Sequence, residues 1–413
     1  MYWREMFPRV APTLAILLST LALALMPVLG THAMTLVILV WMALMFSQFF
    51  WNDVRAPKSA CAWFLLLASP FLLMLLDMPR APDLRTGWHL VERSTALIAF
   101  PTGFLLLRAP SHPRFRDAMC DIFTLASLLL ALYANGVVIF HGMLASLVPS
   151  ADFSFAYRAS FFTITGLHPP YAAYFFLSAA LFQVVRVLDP FQRKWWRFAT
   201  IIVLVVAALL VASRTPLFAF AAACIAVLFM RAKKRTAWTW SIGLVLALAI
   251  ASLFVPSIAQ RTHQLIETAE SPAGSQPLNS VNIRMPIAHC TSALLKEHWL
   301  LGIGQANVQP ALDACYQQFN IPLLLDGSYG THCQPLHWWL CFGILGLLLF
   351  IALFALLMRR AWQQRDAAHF GSLLLILICC ATENVLARQW GVVLFACFNA
   401  LFVASGMHAD DKA

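Results

Sequence analysis

Apolar side chains in this chain come in long unbroken blocks rather than in alternation with polar ones. In order, the blocks cover residues 11–29, 34–51, 60–76, 88–107, 118–140, 170–188, 198–213, 216–230, 237–256, 336–358, 370–386 and 389–406. A helix needs roughly 20 apolar residues to cross the bilayer core, so each block predicts a spanning helix, about twelve in all. Two blocks are less clean. Residues 88–107 carry His89, Glu92 and Arg93 near their start, and only an Arg214-Thr215-Pro216 turn separates the seventh block from the eighth. Polar groups at a helix end can reach the interface by snorkelling, so the expected count stands.

Composition agrees with the pattern. The 413 residues are 61% hydrophobic and 11% charged, with a mean hydropathy of +0.76. Soluble domains average about 45–50% apolar and about 25% charged, which excludes a water-soluble enzyme. With 17 Gly and 22 Pro, collagen-like and low-complexity chains are excluded too. A net charge of +10 would point to nucleic acid in a soluble protein. In a polytopic chain it reads instead as positive-inside bias. The expected fold class is therefore an all-α polytopic membrane protein.

Sidedness follows from Lys and Arg. With a cytoplasmic N-terminus, the outer side holds nine: Arg80, Arg85, Arg93, Arg158, Arg214, Arg261, Arg284, Lys296 and Arg388. The other nineteen of the 28 fall in inner loops, so both termini are expected in the cytoplasm. Trp residues sit at block edges, Trp51, Trp195, Trp196, Trp238, Trp240 and Trp362 inside, Trp88, Trp338, Trp339 and Trp390 outside, as headgroup-level indoles do. The first block runs into the second without a small-residue cleavage site, so no cleavable signal peptide is expected. No fixed-period repeat and no inverted halves stand out.

One stretch breaks the rhythm. Residues 1–256 hold the first nine expected spans, 257–335 form a long outer loop, and 336–413 hold the last three spans and a cytoplasmic C-terminus. Loops of this length are functional or disordered. Residues 271–277 (Ser-Pro-Ala-Gly-Ser-Gln-Pro) read as a flexible piece. Ile287, Leu294, Leu295 and Trp299 predict an amphipathic helix over 286–299 lying at the membrane surface, with Ser280 or Asn282 as its cap. Asn307 is placed to cap a second short helix through Cys315.

The outer polar residues carry the candidate chemistry. Nine of the twelve His face outward: His32, His89, His141, His168, His263, His289, His298, His332 and His337. Outer Arg residues run against the topological bias and call for a local reason. Arg214 lies between two apolar blocks near the hydrocarbon boundary, where it needs an anion: Asp152, Glu383 or a ligand phosphate. Arg261 and Arg284 flank the long loop. The planar guanidinium grips phosphate in bidentate fashion, so these three point to a lipid-linked phosphate or pyrophosphate. His332 and His337 suit proton transfer. Five residues apart on a helix, they would point about 140° from each other. His168, Arg158, Arg388 and His298 are secondary candidates for the same outer site.

Other motifs fall away. Cys290, Cys315 and Cys333 allow at most one internal disulfide in an oxidising compartment, with Cys315–Cys333 the expected pair. The spacing of His332, Cys333 and His337 matches no common zinc pattern, and no metal is expected. Gly302-Ile303-Gly304 is half of a dinucleotide fingerprint without its strand–helix context. No Gly-Lys-Ser/Thr phosphate loop and no outer Asp-x-Asp pair are present, so neither ATP hydrolysis nor a metal-held nucleotide sugar is expected.

Several short motifs, in order and on one side, resemble the O-antigen ligase and O-antigen polymerase superfamily. They are His332 followed by ten residues and Gly343 running into Ile344-Leu345-Gly346, Arg261 with Leu265, Ser213-Arg214 at a span end, Trp299-Leu300-Leu301-Gly302-Ile303-Gly304, and Gly166-Leu167-His168-Pro169-Pro170. The resemblance covers most of residues 150–350 and the topology. Phe218 stands where Leu would complete the Arg214 motif, and Cys333 stands where relatives often have Asn. The second departure keeps His337 beside His332 as candidate base.

The resemblance implies transfer of a glycan from undecaprenyl pyrophosphate to lipid A–core oligosaccharide, at the periplasmic face of the inner membrane. The reaction would invert the anomeric centre and need no cofactor, nucleotide or metal. Arg214, Arg261 and Arg284 would bind the pyrophosphate, and His337 or His332 would act as general base. Relatives that extend the glycan on its carrier, or move it to protein Ser or Thr, are the alternatives. A secondary transporter is the alternative from another class. Scarce mid-span charge counts against it, Asp121 being the main example.

Overall fold

A computed structural model describes residues 10–52, 57–140, 153–189, 191, 194–211, 213–254, 283–321, 324 and 327–410. The described residues form helices and no strands. The helices are α1 (Val10–Ala22), α2 (Thr31–Asn52), α3 (Lys58–Asp77), α4 (Leu84–Arg93), α5 (Ala96–Pro101) and α6 (Pro113–Val138). Next come α7 (Phe153–Thr165), α8 (Pro169–Val187), α9 (Trp195–Leu210), α10 (Arg214–Arg231) and α11 (Lys234–Phe254). The last are α12 (Arg284–His298), α13 (Val308–Tyr316), α14 (Gln334–Phe342), α15 (Ile344–Gln363), α16 (Ala367–Cys380) and α17 (Gln389–Asp410).

Seven of these are long and apolar enough to cross a membrane: α2, α3, α6, α8, α10, α15 and α17. Four apolar segments are shorter, at α1, α5, α9 and α16. The protein is thus an all-helical, multi-pass membrane protein. Two spans are enclosed by the others, α8 with 78% and α17 with 83% of its apolar window buried, whereas α2 has only 17%. A helix apolar all round belongs inside a bundle or against lipid, and here both cases occur. Phe123, Phe175, Phe182, Phe398 and Phe402 interlock where α6, α8 and α17 meet.

The structure corrects the one-block, one-helix expectation in two places. Residues 88–107 are not one helix. Asp83 caps the polar α4 by accepting from the Thr86 amide at 2.8 Å, and the chain re-enters as α5 and a π turn over Thr102–Leu106. The cause is Trp41, whose ring lies where a Cβ on Gly103 would be, 2.1 Å from it. Its indole donates to Thr20 Oγ at 2.9 Å. An intruding side chain of this kind widens a helical turn. Residues 336–358 are broken as well. Gly343, at φ +65°, ends α14 and starts α15 in a new direction.

Gly343 also receives the long loop. Ile344 donates to Leu300 O at 3.2 Å, Ile303 to Leu340 O at 2.8 Å and Gly304 to Cys341 O at 2.9 Å. The two backbones pass so closely that a Cβ on Gly343 would lie 2.0 Å from Leu300 O, and one on Gly302 2.5 Å from the Gly343 nitrogen. Arg80, just beyond α3, reinforces this clasp by donating to Leu301 O and Gly302 O, while Asp77 holds Arg80 at 3.1 Å and accepts from the Gln305 amide at 2.6 Å.

The loop helices agree in part with the sequence. α12 runs over Arg284–His298, close to the expected 286–299, with Ile283 before it; Ser280 and Asn282 lie outside the described residues. α13 begins after Asn307, but that side chain is not its cap. Asn307 donates instead to Ile303 O at 2.8 Å and Arg80 O at 3.0 Å. The disulfide joins Cys290 to Cys315, not Cys315 to Cys333, because α12 and α13 pack against each other and leave Cys333 free at the start of α14. α7 occupies a stretch for which no element was expected.

At the other end of the bundle one set of charges is paired within the fold. Arg116 pairs with Asp366 at 2.8 Å, Arg186 reaches Asp117 and Asp121 at 3.5 Å, and Arg197 reaches Asp121 at 3.4 Å. Asp121, expected from the sequence as a mid-span charge, lies instead among these end charges, held between Arg186 and Arg197.

The clasp makes a stability prediction. Gly343→Ala places a methyl in the path of Leu300 O at a left-handed φ and should cost about 2–4 kcal/mol. Gly243→Ala, with nothing within 4 Å, should leave stability near wild type. Thermal unfolding of the two variants in detergent measures this, and equal midpoints would contradict the clasp.

Candidate active site

The turn after α16 and the segment before α14 meet at the same end of the bundle as the loop helices. Thr331 donates to Asn384 Oδ1 at 3.0 Å, the Leu386 amide donates to Gln334 Oε1 at 2.7 Å, and Tyr171 reaches Asn384 O at 3.4 Å. These bonds bracket His332 and present it to Glu383. His332 Nδ1 lies 3.2 Å from Glu383 Oε2, and Arg284, the first residue of α12, reaches Glu383 Oε1 at 3.3 Å. One carboxylate thus receives an imidazole from one side and a guanidinium from the other. His332 holds this position at φ +48°, a left-handed backbone that costs about 1–2 kcal/mol for a non-glycine residue. Such strain persists only where the surroundings fix it.

The remaining candidates fall into three groups. His168, at the mouth of α8, lies near Arg158, Glu383, Arg388 and His332, so it joins the cluster with two of the secondary arginines. Arg214 heads α10, and its neighbour Thr215 accepts from Thr382 Oγ at 2.9 Å, which ties that helix start to the Glu383 turn. Arg261 and Asp152 lie outside the described residues.

Two candidates are placed elsewhere. His337 turns away from Glu383, with Nε2 3.6 Å from Cys341 Sγ and a buried Nδ1 that has no hydrogen-bond partner among the described residues. His332 precedes α14 in a left-handed backbone conformation while His337 lies inside that helix, so the two side chains leave in different directions. His298 ends α12 beside Glu297, away from the cluster, since the loop turns back at the Gly302 clasp.

Electrostatics follow from these contacts. Burial would raise the Glu383 carboxyl, but the hydrogen bond and charge of His332, with Arg284 and His168, bring it below the ordinary carboxylate range. Partial burial, then the charge of Arg158, lowers the His168 imidazole. Among the described residues no three His, Cys, Asp or Glu side chains converge as a metal-holding group would.

Glu383 entered the sequence reading only as an ion-pair alternative for Arg214. Its pairing with Arg284 and His332 joins positions 99 and 51 residues apart. The available signal was its rarity, a carboxylate between two apolar blocks on a side rich in Arg and His.

These features define a multi-pass membrane protein with a His, a carboxylate and an Arg gathered at one bundle end. Residues 199–351 match the family model described as O-Antigen ligase. That stretch runs from α9 through the long loop into α15, and over it the chain is similar to that family. No curated protein matches the chain.

The ion-pair geometry predicts an acid-side effect. Glu383 is depressed in the fold, so its contribution to stability is complete above the ordinary carboxylate range and is lost as pH falls below it. Unfolding temperature should drop as pH falls through that region, and Glu383→Gln should flatten the drop. An unchanged acid profile in the variant would show that the pairing contributes nothing.

Proposed function

We propose that this protein transfers O-antigen polysaccharide from undecaprenyl pyrophosphate to lipid A–core oligosaccharide at the periplasmic face of the inner membrane. Support comes from the family match and from one observation above others: Glu383 gathers Arg284 from within the long loop and His332 from its end. With a proton on Nδ1 facing Glu383, the His332 Nε2 is free to accept the proton of an acceptor hydroxyl. The hydroxyl oxygen forms its bond to the anomeric carbon as the bond from that carbon to the pyrophosphate oxygen breaks, which inverts the centre. The leaving pyrophosphate gains charge, and Arg284, Arg214 and Arg261 stabilise it. Glu383 stabilises the imidazolium that forms.

His332 is the better base than His337 in this reading, because His337 faces Cys341 and has no carboxylate partner. Apolar faces of the spans below the cluster would carry the prenyl and acyl chains. The pairing of Asp121 with Arg186 and Arg197 gives that residue a structural role and weakens the transporter alternative.

The test is to incubate purified protein with undecaprenyl-pyrophosphate glycan and lipid A–core and look for the enlarged glycolipid. Elongation of the carrier-bound glycan instead would identify a polymerase. Arg214→Ala, Arg261→Ala and Arg284→Ala should each slow transfer by roughly 10²–10³ with expression intact, the usual cost of losing one charge-stabilising donor. Full activity in any of them removes that residue from the site. Transfer should survive EDTA, and a loss restored by a divalent cation would overturn the metal-free chemistry.

A further inference from the structure

A groove of about 450 Å³ lies apart from the His332–Glu383 cluster, where the end of α12 and the clasp approach Arg80. One wall is apolar. Trp299, Leu300 and Leu301 are 51%, 52% and 74% exposed, although Leu300 O and Leu301 O are pinned by Ile344 and Arg80. Burying such side chains is favourable, so a rigid display of three in succession marks a surface that something covers.

Position says what covers it. Leu76 at the outer end of α3 and Leu345 and Leu348 at the start of α15 are also exposed, and both helices are spans. The apolar wall therefore continues the lipid-facing surface on either side of it. Trp88 on the neighbouring α4, 58% exposed, adds an indole at the same rim, as expected at headgroup level. The other wall is polar and carries both signs: Arg80 and His298 can face a phosphate, and Glu297 an ammonium.

We propose that this groove binds one phospholipid with a zwitterionic, primary-ammonium headgroup, its acyl chains against Trp299, Leu300 and Leu301. Arg80 and His298 donate to the phosphate, and the Glu297 carboxylate accepts from the ammonium. The bound lipid fixes the depth at which the clasp, and with it the long loop, sits over the bilayer.

Native mass spectrometry of the full-length protein, delipidated in detergent and titrated with phosphatidylethanolamine, phosphatidylcholine or phosphatidylglycerol, tests the headgroup. Phosphatidylethanolamine adducts should exceed the other two. Glu297→Gln should reduce that preference roughly twofold to fivefold, the scale of an exposed ion pair, and leave phosphatidylcholine binding unchanged. Equal binding of all three lipids, or a preference for phosphatidylglycerol, overturns the proposal.

A second measurement reads the acyl wall without relying on binding strength. Bimane on Leu301→Cys, in a Cys61→Ser, Cys333→Ser background, should be quenched by nitroxide-labelled phospholipid in nanodiscs and protected from aqueous iodide. Quenching by iodide but not by labelled lipid overturns the acyl contact. Quenching by lipid only after a glycolipid is added would assign the groove to that glycolipid and also overturn it.

Discussion

The close passage of two glycine backbones organises the end of this protein that carries the long loop. Gly302 and Gly343 approach so tightly that neither position has room for a Cβ, and both carry a positive φ. Only glycine adopts this conformation freely and admits this approach. The passage ends α14, redirects the chain into α15, and pins the long loop through Leu300, Ile303 and Gly304. Arg80 and Asp77 anchor the same loop to α3. With the loop held there, α12 presents Arg284 to Glu383, and the segment before α14 presents His332 to the same carboxylate.

Charge is distributed differently at the two ends. Where Arg116, Arg186 and Arg197 meet Asp117, Asp121 and Asp366, each sign finds its opposite within the fold. At the other end the Glu383 carboxylate faces Arg284 and His332, with His168, Arg158 and Arg388 nearby.

The helical, membrane-spanning character was legible because it depends on block length and composition, which one sequence displays directly. The interruptions at Gly103 and Gly343 were not, since each depends on a distant partner, Trp41 or Leu300. The disulfide was misread for a similar reason: three cysteines in a loop give no order of approach until α12 and α13 are packed. His332 and Arg284 stood out as outer residues against the topological bias. Glu383 did not, because an acidic residue there needs no special account until its partners are known. His332 and His337 do diverge, but because His332 lies before α14 rather than on it, and the carboxylate beside His332 distinguishes the two.

The central claim is that His332, oriented by Glu383, takes the proton from the acceptor. The most direct test compares His332→Ala with His337→Ala in the purified transfer reaction, with and without added imidazole. Loss of transfer in His332→Ala, restored in part by imidazole, together with retained transfer in His337→Ala, is the predicted result. Full transfer by His332→Ala, or loss in His337→Ala alone, would contradict it.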